Sequence, residues 1–134
     1  MTERPTTGRG VRYNRAVAIK VFQYPACSTC RNALKWLAAA GVAHDKVDIV
    51  KQPPTVAQLA RAAKLAGVSP KKMFNTSGES YRAGDFKTRL ATMSDAEALA
   101  ALAADGKLIK RPLLLGDEVA LVGFKPDDWQ RALA

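Results

Sequence analysis

The sequence predicts an α/β fold: a four-stranded mixed sheet assembled as βαβ…ββα, with an all-helical insertion between the halves. Three observations carry this. A β-rich apolar run at residues 16–22 (AVAIKVF) is followed by helical spacing over 27–40 and by an alternating run at 46–50. Toward the C-terminus, two apolar runs flank Gly116-Asp117-Glu118, the pattern of a hairpin, and a helix follows. Between the halves, residues 54–107 carry repeated helical signals, and a domain does not hold such a length as bare loop.

Each element has a local reason. The first run is short and rich in β-branched and aromatic residues, hence a buried strand, and Tyr24-Pro25-Ala26 breaks it. In 27–40, Ala33, Leu34, Leu37 and Ala38 share one face, Arg31 and Lys35 another, and Gly41 follows as a C-cap. Val47 and Ile49 alternate with charged neighbours in the second strand. A strand–helix–strand unit with a short crossover implies parallel pairing. Thr55 caps a helix through Ala66 that Gly67 closes. Ser69-Pro70 opens a turn through Phe74, residues 75–80 read as a polar loop, and 85–90 as a further helical piece. Ser94 and Glu97 have capping-box spacing for a helix to about residue 104, ended by Asp105-Gly106. The last helix begins near Lys125-Pro126 and reaches Leu133.

Composition bounds the rest. At 134 residues and 48% apolar, the chain suits one domain with a mainly aliphatic core, since aromatics are only 7%. Residues 1–15 hold Arg4, Arg9, Arg12 and Arg15 against Glu3 alone, and read as a flexible basic leader. Residues 16–134 read as the folded domain. No apolar run approaches the ~20 residues of a membrane span, and the leader lacks the apolar stretch of a secretory signal. A cytoplasmic protein without membrane association is therefore expected. The net charge of +9 suits anionic partners or a solubilising surface, with direct nucleic-acid binding the weaker reading.

The two cysteines, Cys27 and Cys30, are too few and too close for a secreted disulfide scaffold. His44 is the lone histidine, so a single-chain structural zinc site lacks ligands. No phosphate loop or cofactor fingerprint is present, and neither a metal nor a bound cofactor is expected. His44 reads as solvated, Trp36 and Trp129 as packing residues, and the direction of Tyr81 and Arg82 is left open.

The spacing in Cys27-Ser28-Thr29-Cys30 favours redox chemistry, with half of a zinc site shared between two chains as the alternative. A thiol reacts as its thiolate. A helix N-terminus offers unpaired N–H groups and the positive end of the dipole, which favour that charge. Cys27 stands where the helix begins, so its pKa should fall, and it is the expected nucleophile. Cys30, one turn on, is placed to resolve a mixed disulfide or to serve merely as a small apolar residue. Ser28 and Thr29 add hydroxyls toward a bound anion. Far downstream, Arg111-Pro112 precedes the hairpin. In a thioredoxin-like layout this proline lies beside the reactive cysteine, and its peptide bond is commonly cis. Arg111 would then face Cys27 and hold an oxyanion or stabilise the thiolate.

These residues together resemble the ArsC/Spx/YffB family, the arsenate-reductase-like branch of thioredoxin folds. The matching segments are Val21-Phe22-Gln23-Tyr24-Pro25-Ala26-Cys27-Ser28-Thr29-Cys30-Arg31-Asn32-Ala33, Leu108-Ile109-Lys110-Arg111-Pro112-Leu113-Leu114, and Leu121-Val122-Gly123-Phe124. The resemblance implies catalytic roles for Cys27, Cys30 and Arg111, and substrate contacts from Ser28, Thr29, Arg111 and Pro112. It implies a thiol-dependent oxidoreductase attacking a small oxyanion such as arsenate, or a glutathione mixed disulfide, with glutathione as co-substrate or glutaredoxin as partner. Arsenate reductases of the family carry arginines where this chain has Asn75 and Gly123-Phe124, which favours the YffB branch. The C-x-x-C itself is similar to Spx, which implies the alternative: a redox-sensing transcriptional regulator binding the RNA polymerase α subunit through a Cys27–Cys30 switch.

Overall fold

The computed structural model describes residues 19–133. Strands β1 (Lys20–Gln23), β2 (Asp45–Asp48), β3 (Leu113–Leu115) and β4 (Ala120–Val122) form one sheet in the order β2-β1-β3-β4. β1 and β2 run parallel, and the other neighbours pair antiparallel. Helix α1 (Ser28–Ala40) crosses from β1 to β2. Helices α2 (Val56–Ala66), α3 (Glu79–Ala83), α4 (Phe86–Arg89) and α5 (Asp95–Ala104) occupy the stretch before β3, and α6 (Pro126–Leu133) follows β4. This is the thioredoxin-like mixed sheet that the sequence predicts.

Successive strand residues point to opposite faces, and both faces of the two central strands are buried. Val21 and Leu114 pack with Ala33 and Leu37 of α1 and with Trp129 and Leu133 of α6. Phe22, Leu113 and Leu115 face the other way, onto Leu59 and Ala62 of α2 and Ala98 and Leu102 of α5. Double burial explains the continuous apolar reading of β3, Leu-Leu-Leu, which shows no alternation. Trp36 and Phe124 meet the Trp129 ring edge-on, and Trp129 Nε1 donates to the Gly123 carbonyl at 3.0 Å, so both tryptophans are packing residues.

Caps set the helix bounds. Gly41 and Gly67 end α1 and α2 in the left-handed region, at φ 72° and 71°. Ser94 and Glu97 form the expected capping box, and Thr55 and Gln58 form a second one. Two boundaries differ from expectation for reasons the side chains show. β2 stops at Asp48, because its carboxylate accepts the N–H groups of Val50 and Lys51 and turns the chain. The polar loop at 75–80 is interrupted by α3, which starts at Glu79. Its Arg82 reaches back to the Ser77 carbonyl at 2.8 Å, tying the loop to the helix. The expected first strand begins at 16, but residues 16–18 and the basic leader lie outside the described residues.

The return from α5 to the sheet is tight. A 3-10 turn at Gly106–Leu108 lies against the end of β2, where a Cβ on Gly106 would sit 1.8 Å from the Ile49 carbonyl oxygen. Ile109 then bridges to Phe74, and Lys110 N–H donates to the Met73 carbonyl at 2.7 Å. These contacts deliver Arg111-Pro112 to the head of β3. Among the described residues, no helix is long and apolar enough to cross a membrane.

Candidate active site

β1 ends at Gln23 in the middle of the sheet, and the chain turns at once into α1. The Cys27 N–H donates to the Tyr24 carbonyl at 2.9 Å, closing that turn. Cys27 is the N-cap residue of α1, with extended backbone at φ −91° and ψ 120°. Its side chain closes no cap hydrogen bond of ordinary geometry. It is half-buried, while Ser28 and Thr29 are exposed on the first turn and Cys30 is fully buried. Both cysteines are free thiols.

The electrostatics separate the two sulfurs. Partial burial pushes the Cys27 thiol up, but four effects oppose it and win. These are the Cys30 N–H, the Cys30 thiol, the Thr29 N–H and the positive charge of Arg111, which together hold Cys27 below the ordinary thiol value of 9.0. Cys30 moves the other way, to about 12. Burial is the main cause. The Tyr24 N–H, donating to its sulfur at 3.4 Å, only partly offsets it, and the Cys27 thiolate beside it raises it further. The pair thus holds one sulfur suited to ionise and one suited to stay protonated and donate.

The Arg111–Pro112 peptide bond is cis. Pro112 is buried, and its carbonyl accepts the Gly123 N–H at 2.9 Å. Arg111 is half-buried. Its charge reaches both cysteines. One Nη1 contact, 3.4 Å to the Lys107 carbonyl, holds its end. Its Nε is buried with no hydrogen-bond partner, and its Cζ lies 5.0 Å from the centroid of the Tyr24 ring.

Of the residues singled out in the sequence, Cys27, Cys30 and Arg111 therefore act on one another, with Ser28, Thr29 and Pro112 adjacent in the chain. Tyr81 is elsewhere, packed on Phe74 and Phe86 within the insertion. His44 contacts the Val42 carbonyl. Asn75 is held by its N–H to the Leu108 carbonyl at 2.7 Å, and Gly123 sits at φ 77°. No group of three or more metal-binding side chains forms among the described residues. The residue that motif reading missed is Tyr24. As the first residue of the turn that ends β1 it carried no signal beyond being an aromatic three positions before the cysteine.

A thiol at the start of α1, facing the cis-proline strand of a mixed four-stranded sheet, defines a thioredoxin-fold thiol protein. Residues 22–132 match the model of the ArsC family, and the chain belongs to that family. It is 42% identical over 114 residues to the uncharacterised protein YusI of Bacillus subtilis, covering 85% of this chain and 97% of that one. A crystal structure of an ArsC family related protein from Bacteroides fragilis superposes with a TM-score of 0.84 at 43% identity, covering 87% and 98% of the two chains. The YffB protein superposes at 0.74 and 31% identity, covering 87% and 99%. More distant relatives include an arsenate reductase from Rhizobium meliloti, 28% identical over 99 residues (74% of this chain, 69% of that one). The global transcriptional regulator Spx of Staphylococcus epidermidis is 21% identical over 115 residues, 86% of each chain. The family resemblance read from the cysteine and Arg-Pro segments is thus correct.

Proposed function

We propose that this protein is a cytoplasmic thiol-dependent reductase in which Cys27 attacks a glutathione mixed disulfide or a small arsenate-like oxyanion. The observation that carries this reading is the placement of Cys27 as the N-cap of α1, one turn from the buried Cys30 and within reach of the Arg111 charge that precedes the cis Pro112 bond. On a mixed disulfide GS–SR, the Cys27 thiolate bonds to the glutathione sulfur and RS⁻ leaves. A second glutathione thiolate then attacks that sulfur, releasing oxidised glutathione and restoring the Cys27 thiolate. Cys30, protonated at neutral pH, donates to Cys27 in the resting state, which favours glutathione over Cys30 as the resolving thiol. Arg111 holds a carboxylate or oxyanion of the reactant. With Asn75 and Gly123-Phe124 where the family's arsenate reductases carry arginines, the mixed disulfide is the better-fitting substrate.

The test is turnover by purified protein with glutathione and NADPH-coupled glutathione reductase, glutaredoxin being added to the arsenate reaction alone because it reduces mixed disulfides itself. Arsenate and the mixed disulfide of glutathione with 2-mercaptoethanol are the substrates. Activity on either that vanishes in Cys27→Ser supports the reading. No turnover on both, with Cys27 shown to be reduced, removes it.

A second reading rests on the same pair. Two free thiols one helical turn apart, each influencing the other's ionisation, support a Cys27–Cys30 disulfide switch, and Spx is among the relatives. Such a regulator would bind the RNA polymerase α subunit in one redox state. Absence of binding with the pair both reduced and oxidised would exclude it.

A further inference from the structure

We propose that the ring of Tyr24 is the platform that positions the Arg111 guanidinium at Cys27, making Tyr24 a positioning residue for anionic reactants. This rests on Cys27 being the reacting group, but not on any particular turnover.

Arg111 is lightly held by everything else. Its Nη1 contact to Lys107 is long, at 3.4 Å, and its buried Nε has no partner. Among the described residues the one ion pair is Arg131 with Asp128 on α6, so none of the described carboxylates pairs with Arg111. An arginine stem has many rotamers, and ordering it needs a compensating attraction. The face of an aromatic ring supplies one, because its quadrupole is negative there. The Tyr24 ring stands 5.0 Å from Cζ, within the range of that attraction.

Tyr24 is itself anchored to both sulfur-bearing residues. Its carbonyl accepts the Cys27 N–H at 2.9 Å, and its N–H donates to Cys30 Sγ at 3.4 Å. Tyr24 packs against the larger core cluster, which includes Phe22 and Leu113. One residue therefore sets where the thiols are and where the cation is. The orphaned Nε makes chemical sense in this arrangement. A buried donor without a partner is costly, and a carboxylate or oxyanion brought to Cys27 is the acceptor that would satisfy it.

The experiment compares alkylation of Cys27 by iodoacetate and iodoacetamide, reagents of similar size and opposite demand for a cation. The ratio of their rates cancels the thiolate fraction and any general loss of reactivity. Arg111→Gln calibrates the ratio without the guanidinium, and a fall of about five-fold is expected. Tyr24→Phe keeps the ring face and should keep the wild-type ratio. Tyr24→Leu should drop to the Arg111→Gln value, and the double variant should fall no further. Pentafluorophenylalanine at position 24 keeps the shape but reverses the quadrupole, and should also drop. It decides the matter alone if Tyr24→Leu fails to fold. A wild-type ratio in either the leucine or the fluorinated protein overturns the platform. Failure of Cys27 to alkylate at all would instead remove the reading beneath it.

Discussion

Gly106→Ala would drive a new Cβ into the backbone just after β2. The added Cβ would lie 1.8 Å from the Ile49 oxygen, 2.7 Å from its carbonyl carbon and 3.3 Å from Val50 Cα. Every one of those atoms is backbone, so no side chain can swing aside. Relief needs a shift of at least about 1.2 Å to reach the 3.0 Å limit for such contacts, and it must part the 106–108 turn from the end of β2. Overpacking a well-filled site costs about 1–3 kcal/mol, and more where the backbone must move, so about 3 kcal/mol is expected. For a chain of this length that lowers Tm by roughly 10–15 °C. Gly41→Ala is the matched control. It forces a Cβ onto a residue at φ +72° with nothing within 4 Å, so only the left-handed penalty applies, about 1–2 kcal/mol. Thermal unfolding by circular dichroism measures both. If Gly106→Ala melts no lower than Gly41→Ala, the close approach does not constrain the fold as described.

Three further outcomes follow from the same contacts. Cys30→Ala removes the thiol donor to Cys27 but keeps the residue-30 N–H. Alkylation against pH should show the Cys27 midpoint rising toward the ordinary thiol value, because a hydrogen bond to the thiolate is lost. An unchanged midpoint would mean the two sulfurs do not interact. Alkaline stability should report Cys30 itself. Its folded value, about 12, lies above the ordinary 9.0, so above pH 9 the unfolded chain sheds a proton that the folded chain keeps, and stability falls as pH rises. Cys27, lowered on folding, acts in the opposite sense and only up to its ordinary value. Urea titrations from pH 8 to 11 should show wild type losing up to about 1.4 kcal/mol per unit more than Cys30→Ala, and parallel curves would contradict this. Ser94→Ala should cost about 1 kcal/mol by opening the α5 capping box while leaving Cys27 alkylation unchanged, because the cap lies in the insertion.

Most of the fold was legible because its signals are local. Gly41 and Gly67 mark helix ends by needing positive φ, and Ser94 with Glu97 marks a helix start by spacing. Thr55-Val56-Ala57-Gln58 carries the same capping-box spacing, with Gln58 completing what Thr55 begins. What escaped depends on tertiary approach. α3 starts inside a polar stretch, and only the Arg82 contact to Ser77 shows how that short helix is tied down. The turn at the end of β2 comes from Asp48 accepting two N–H groups, a choice that a Val-x-Ile alternation conceals. At the site, Cys27 and Arg111 were legible from motif and topology. Tyr24 was not, because its part is played by the ring's position against a residue 87 places later in the chain (24 to 111).

The central claim is that Cys27 is an activated thiol at the head of α1. Its most direct measurement is the pH dependence of iodoacetamide alkylation of Cys27, resolved by peptide mass, in native and in urea-unfolded protein. The native midpoint should lie clearly below 9.0 and return to the ordinary thiol range on unfolding, with Cys30 unlabelled in the native state. A native midpoint equal to the unfolded one would contradict it.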